Sequence, residues 1–313
     1  EYSGRPLIVV LWKHPPTDGL KRLGAANVRI EGSGARVLAI SRQSVADNAK
    51  LHAARGLPFP LLSDRQGTAW SALGCAADTR RIAVLDANQR LAALLPESDA
   101  GLAAAIAWLE SEAPRRRERM LTNHPPVLVI PRVLSESDCR NLIAAWHKLH
   151  DNALAHPEIA TAIASSQKFI REYGKVFQYT IDDPALTARL DAKLAPRIGQ
   201  ELHKGFQTIA PQREDWRLAC YDIADSGHLP PHRDNVNTHT THRRFTVSIT
   251  LNGGAFVGGN LVFAEYSDHA YDVETGSAVI FSASVLHEVT PVTSGRRMAL
   301  LTHLFGQPPT VTR

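Results

Sequence analysis

Two hydrophobic patterns divide the chain. In its first third, short wholly apolar runs alternate with helix-like segments. The run 7–12 (Leu-Ile-Val-Val-Leu-Trp) contains no polar residue, as expected of a strand buried on both faces. A second run, 35–41, follows a loop with Gly32 and Gly34. A third, 81–86, enters the turn residues Ala87 and Asn88, and 90–95 returns as its hairpin partner. The segment 44–55, ended by Gly56, reads as a helix, and the alanine-rich 100–112 as a closing one. Such alternation predicts a mostly parallel sheet with helices on its faces.

The pattern changes after a charged connector, 113–124. A strand at 126–131 leads to Ser135, which opens a helix with Asp138 placed as in a capping box. Leu142, Ile143, Trp146 and Leu149 recur there at helical spacing, and 184–204 aligns Leu186, Leu190, Leu194 and Ile198 in a second helix. From Trp216 onward short strands dominate, at 217–223, 244–251, 260–265, 277–282 and 298–305. Glycine, asparagine and aspartate turns separate them. This predicts a β-sandwich or barrel braced by helices. The expected organisation is a domain at 1–112, a basic linker at 113–124 and a second domain at 125–313.

With 313 residues, two separate cores are affordable in length, and 44% hydrophobic with 21% charged residues is ordinary for a globular chain. A net charge of +4 gives no argument for nucleic acid. Part of it sits in Arg115, Arg116, Arg117 and Arg119, which read as a solvated connector. No stretch approaches a membrane span. No secretory leader is legible, though a start at Glu1 leaves open a removed leader or an earlier strand. Cys75, Cys139 and Cys220 are scattered and odd in number, against a disulfide framework or zinc ribbon. A cytoplasmic setting is expected.

The candidate chemistry lies late in the chain. His232 and Asp234 stand two apart at the end of a strand and the turn after it. His287 follows the apolar run 278–281 through a serine-rich turn. Two imidazoles and one carboxylate are the donors of a facial triad, which leaves half an octahedron open on non-haem Fe(II). A lone His-x-Asp is frequent by chance, and by itself His232 reads as a loop histidine facing solvent. Arg297 suits a planar, two-pronged grip on a carboxylate.

Taken together, the segments 219–223, 231–235, 256–263 and 286–297 resemble the Fe(II)/2-oxoglutarate dioxygenases, specifically the prolyl 4-hydroxylase-like branch. The resemblance spans about 125–306. It implies a double-stranded β-helix (jelly-roll, cupin-like) in which His232, Asp234 and His287 bind Fe(II). Arg297 would hold the distal carboxylate of 2-oxoglutarate, while strand alternation turns Arg296 to solvent. Tyr221 stands where relatives often place a tyrosine in the co-substrate pocket, although a core tyrosine with a satisfied hydroxyl explains it equally. Thr250 stands where some relatives place a second tyrosine, implying a lighter grip or one through its hydroxyl. His228, in the loop just before the site, reads equally as a neighbour of the substrate or as a solvent-facing residue; His239 and His242 read as loop residues that could touch substrate, and His303 has no assigned role.

The implied reaction is hydroxylation of an unactivated C–H, with O2 as co-substrate and 2-oxoglutarate converted to succinate and CO2. Ascorbate is expected in a supporting role. Candidate substrates are a peptidyl residue, prolyl hydroxylase-like, or a free amino acid or natural-product precursor. Asp234 argues against halogenation, since halogenases of the family replace that carboxylate with a small residue.

The first domain resembles the peroxiredoxin branch of the thioredoxin fold over about 1–110, through 37–41, 56–64 and 81–86. In that family a peroxide-attacking cysteine follows the first core strand, where the next helix lowers its pKa. Here 12–20 contains no cysteine, and Cys75 reads as a small buried hydrophobe. A degenerate domain that docks a protein partner is expected, and a homo-oligomer is allowed for. No nucleic-acid or membrane partner is expected. Two other readings stand beside this one: a non-catalytic binding or sensor module, and a thiol redox protein acting through Cys75.

Overall fold

A computed structural model describes residues 2, 5–76, 78–87, 89–112, 123–155, 176–210 and 212–306. The chain divides into two compact units, Glu1–Met120 and Leu121–Arg313. Residues 113–122 of the expected linker lie outside the described residues.

In the first unit the apolar run forms β1 (Leu7–Trp12), buried at every position. It sits at the centre of a five-stranded sheet ordered β3-β2-β1-β4-β5, with β2 at Arg36–Ser41, β3 at Leu61–Ser63, β4 at Arg81–Leu85 and β5 at Leu91–Pro96. Strands β1, β2 and β3 are parallel neighbours, whereas β4 is antiparallel to both β1 and β5. The sheet is therefore mostly parallel as expected, with β4 alone running against the other four strands. The link from β4 to β5 is a tight turn in which Asp86 and Arg90 bond each other, and such a turn returns the chain antiparallel.

Helix α1 (Thr17–Gly32) is not announced by the hydrophobic pattern, because its buried face carries Gly19 and Asn27 beside Leu20, Leu23 and Ile30. Gly19 allows close approach: a Cβ there would lie 2.8 Å from Pro16 Cγ. The predicted second helix is α2 (Val45–Arg55), capped by the Ser44 side chain and ended by Gly56 at φ 56°. After α3 (Thr68–Ala72), α4 (Asp99–Glu112) closes the unit, and α1 and α4 share one core with Ile8, Val10 and Trp12 of β1. Leu7, Val9 and Leu11 face the opposite way, onto Trp70 of α3.

The second unit contains two antiparallel sheets. The larger runs β6-β15-β11-β17-β9-β7, formed by Val127–Ile130, Ala278–Ser282, Phe245–Thr250, Val292–Phe305, Arg217–Asp222 and Phe177–Thr180; β8 (Gln212–Arg213) and β12 (Phe256–Gly258) add to β17. The smaller runs β10-β16-β13-β14, formed by Leu229–His232, His287–Val289, Leu261–Phe263 and Ser267–Tyr271. Strand alternation sorts side chains between two cores. Leu218, Cys220, Val247, Ile249, Ile280 and Leu300 pack outward against α5 (Glu136–Ala155) and α6 (Pro184–Phe206). Ala219, Tyr221, Val279 and Phe281 turn inward against Leu261, Phe263 and Val289 of the smaller sheet. This is the expected jelly-roll, braced by helices on one side.

The helix caps follow the sequence signals. Ser135 and Asp138 bond each other's backbone N–H at 3.2 and 2.9 Å, completing the capping box of α5. Asp183 accepts from Ala185 and Leu186 at the start of α6. The inner face of β11 is polar instead of apolar: Thr246, Ser248 and Thr250 are buried there. Buried polar side chains need partners or a function, and these point to the interior that also holds His287, Arg297 and His303.

Candidate active site

Strands β10 and β16 are antiparallel neighbours, and their register sets His232 opposite His287 with ring centroids 4.3 Å apart. Asp234 lies in the turn just past β10, where its backbone N–H donates to the Ala283 carbonyl at 2.9 Å. Asn235 Nδ2 donates to Ser284 Oγ at 2.7 Å. Arg233, between the two candidate ligands, donates to the Ser284 carbonyl and to Glu265, which also accepts from the Leu286 N–H at 3.2 Å. The two ligand-bearing turns, distant in sequence, are thus stitched together by side chain and backbone.

Both imidazoles are preset by the carbonyl two residues earlier: His232 Nδ1 donates to Pro230 O at 2.7 Å and His287 Nδ1 to Val285 O at 3.0 Å. With the proton on Nδ1, each Nε2 keeps its lone pair. These Nε2 atoms face Asp234, 3.5 Å from Oδ1 for His232 and 3.4 Å from Oδ2 for His287. One donor atom from each of the three residues lies within 4.8 Å of the others, the only such group found among the described residues. Burial alone would favour neutral Asp234, but the three histidines around it, His232, His303 and His287, hold its carboxyl well below the usual range. Burial likewise opposes charge on His232, and Asp234 with the Pro230 carbonyl reverses this and raises its pKa. His287 is buried more deeply, and its pKa is lowered despite Asp234. The cluster is a carboxylate with two nitrogen lone pairs, the donor chemistry of a divalent metal site.

Arg297 lies on β17 opposite Tyr221 of β9, its guanidinium carbon 4.9 Å from the centre of the tyrosine ring. The side chain is buried; Nη2 donates to Ser248 Oγ at 3.4 Å, and Nη1 has no partner among the described residues. An unpartnered buried guanidinium N–H is costly, so this arm suits an anion. The Gly258-Gly259 pair makes room for it. A Cβ on Gly259, at φ +62°, would lie 3.1 Å from Arg297 Cδ, and one on Gly258, at φ +75°, 2.2 Å from the Pro291 carbonyl. Arg296 points outward, half exposed and paired with Asp222 at 2.6 Å. Burial pushes the Tyr221 hydroxyl pKa up against the opposing influence of Arg297. The hydroxyl bonded to Arg297 is that of Ser248; Thr250 is buried one alternation further, opposite Ala299.

Sequence reasoning passed over three residues around Asp234. Thr246 Oγ1 donates to Asp234 Oδ2 at 2.5 Å, and His303 Nε2 lies 3.4 Å from the same oxygen. Behind them stands Glu214, which accepts from Arg243 at 2.5 and 2.8 Å and from Arg217 at 3.1 Å. His303, given no role by its position past the motif, is buried against a candidate ligand instead. A polar residue on the inward register of a core strand was the available signal. The expected loop histidines take no part in the donor group: His239 is exposed, His228 is half-buried with Nδ1 2.7 Å from the Ser226 carbonyl, and His242 bonds Glu214 at 3.0 Å from an exposed position.

The thiols contribute nothing here. Cys75 is half-buried, less than expected, with Sγ 3.4 Å from the Trp70 carbonyl. Burial pushes the thiols of Cys139 and Cys220 up to about 11 and about 12. Among the described residues no helix is long and apolar enough to cross a membrane.

Comparison with known proteins agrees with the donor set. Residues 216–304 match the model of the 2OG-Fe(II) oxygenase superfamily, and residues 1–94 that of the AhpC/TSA family. The chain therefore carries a region similar to the AhpC/TSA family ahead of one similar to the 2OG-Fe(II) oxygenase superfamily. A PKHD-type hydroxylase of Psychrobacter sp. (strain PRwf-1) is 38% identical over 79 residues, covering 23% of this chain and 30% of the relative. One from Azoarcus sp. (strain BH72) is 35% identical over 82 residues, covering 24% and 36%. The chain thus spans about a third of the length of these curated relatives. Among solved structures, a Pseudomonas putida prolyl-4-hydroxylase aligns with a TM-score of 0.41 at 18% identity, covering 59% of this chain and 94% of that one. A Xanthomonas campestris peroxiredoxin Q aligns with a TM-score of 0.33 at 22% identity, covering 36% and 82%.

Proposed function

We propose that the second unit is a 2-oxoglutarate-dependent hydroxylase. Fe(II) is held by His232, Asp234 and His287, and the distal carboxylate of 2-oxoglutarate by Arg297, with Ser248 and Tyr221 fixing the guanidinium. The single observation that carries this reading is the three-donor group, both of whose imidazoles are preset with Nε2 free. When bound, the iron and co-substrate supply O2 activation, with 2-oxoglutarate leaving as succinate and CO2. The protein supplies geometry and dryness: three donors leave half the coordination sphere open, and the inner apolar core of Phe263, Phe281 and Val289 excludes water behind the site. Asp234 fills the carboxylate position, which favours hydroxylation over halogenation. The PKHD-type relatives support the same outcome. The substrate class is a peptidyl residue or a free amino-acid-like molecule, and the first unit serves to dock a protein partner.

Anaerobic addition of Fe(II) and 2-oxoglutarate tests the reading. The weak visible metal-to-ligand charge-transfer band is expected in the wild type and lost or strongly weakened in Asp234→Ala and Arg297→Ala. A wild-type protein that carries iron but shows no band would refute the assignment.

A further inference from the structure

We propose that His303 is a positioning residue for the metal centre: together with Thr246 it holds Asp234 Oδ2 and so fixes the orientation in which the carboxylate meets the ion. The inference rests on the proposed metal site and adds to it a residue outside the donor set. Its basis is the tautomer of the His303 ring. Arg217 Nη2 approaches Nδ1 at 2.7 Å, and a guanidinium can only donate. Nδ1 must therefore offer its lone pair, and the ring proton sits on Nε2. That nitrogen faces Asp234 Oδ2 at 3.4 Å. Glu214 Oε2 also lies 3.3 Å from Nδ1. The shorter contact to the obligate donor decides the tautomer, because Arg217 Nη2 also donates to Glu214 at 3.1 Å and bridges the two acceptors.

Two consequences follow. With one nitrogen accepting from Arg217 and the other protonated, His303 has no lone pair left for a metal, and it stands outside the three-donor group. Asp234 Oδ2 in turn receives the Thr246 hydroxyl at 2.5 Å and lies 3.4 Å from both His303 Nε2 and His287 Nε2, while Oδ1 faces His232 at 3.5 Å. A carboxylate with one oxygen engaged twice by protein donors is turned about its χ2 axis and cannot swing freely.

The support of His303 is itself rigid. Its carbonyl accepts from the Glu214 N–H at 2.9 Å, and Thr302 Oγ1 donates to the Glu214 carbonyl at 2.7 Å. Arg243 grips the Glu214 carboxylate with two bonds and reaches the Asp234 carbonyl at 3.2 Å. The order from outside inward is Arg243, Glu214, Arg217, His303, Asp234, each member having a partner on both sides.

The test uses Co(II) as a spectroscopic metal, with no turnover, on the full chain. Gln places its amide nitrogen where His places Nε2, and Asn where His places Nδ1. His303→Gln is therefore expected to bind Co(II) within a few-fold of wild type. His303→Asn and His303→Ala are expected to bind roughly 10–100-fold more weakly, the range seen when a ligand's supporting partner is removed, with altered Co(II) absorption bands. Equal affinity and identical bands in the Gln, Asn and wild-type proteins would overturn the proposal, even if the Ala variant does not fold. A second readout needs no metal: imidazole 15N shifts of His303 should report the Nε2–H tautomer, and an Nδ1–H ring would overturn the proposal by itself. The underlying metal site fails separately, and takes the proposal with it, if wild type binds no Co(II) or if Asp234→Ala binds it unchanged.

Discussion

Arg297 shows how much a single side chain is asked to do. It is buried, spread over the Tyr221 ring, bonded on one arm to Ser248 and bare on the other. A lysine at this position keeps the charge but loses the plane and the second donor. Arg297→Lys is therefore expected to raise the KM for 2-oxoglutarate at least tenfold, as loss of one charge-assisted hydrogen bond of about 1.5–3 kcal/mol implies, with Co(II) affinity unchanged. Steady-state succinate formation against co-substrate concentration, paired with a metal titration, separates the two effects. An unchanged KM would remove Arg297 from the pocket. At this scale His232, Asp234, His287 and Arg297 are legible in sequence because their types and order are distinctive. Ser248, Thr246 and His303 are not. Each is an ordinary polar residue that becomes informative only when strand register turns it inward beside Asp234 or Arg297.

Between elements, Glu214 performs the joining. It precedes β9, meets His303 of β17 and takes Arg243 from the loop before β11. Burial alone would raise its pKa, yet the two bonds and the charge of Arg243 hold the carboxyl far below the usual range. The sign of the resulting pH dependence is fixed. A depressed folded-state pKa gives stability that is present above the unfolded value near 4.3 and is lost as pH falls toward the folded value. In EDTA, Glu214→Gln is expected to unfold at a lower temperature than wild type at pH 6–7, and the gap should narrow as the pH is taken to 3. Thermal melts across that range check it; a constant gap would mean Glu214 contributes packing and not charge. The elements themselves were legible where they were long or punctuated. α2, α5 and α6 carry caps, and β1 is unbroken apolar sequence. α1 was hidden by Gly19 and Asn27 on its buried face, β10, β12 and β16 are too short for alternation to register, and β14 is largely exposed and polar. The hairpin of β4 and β5 was legible in the turn residues Ala87 and Asn88, whereas the antiparallel pairing of β4 with β1 was not.

At the scale of the whole chain, the two units divide along chemistry. The first unit, similar to the AhpC/TSA family over residues 1–94, has a five-stranded sheet and the helix α1 after β1, but Pro16, Thr17 and Asp18 occupy the helix start, where no cysteine is present. A thiolate nucleophile needs both that position and a lowered pKa. Cys75 lies after α3, half-buried against the Trp70 carbonyl. Cys139 and Cys220, both in the second unit, are held protonated at neutral pH by burial. The metal-free full chain is therefore expected to consume hydrogen peroxide with dithiothreitol no faster than a control protein, and Cys75→Ser should change nothing. Thiol-dependent turnover that disappears in Cys75→Ser would restore a redox role to the first unit. If the rate stays at background, what the domain has kept is a folded surface without its nucleophile, and its contribution must be sought in what that surface binds. Deleting residues 1–112 should then spare Co(II) and 2-oxoglutarate binding by the second unit while weakening capture of a protein substrate.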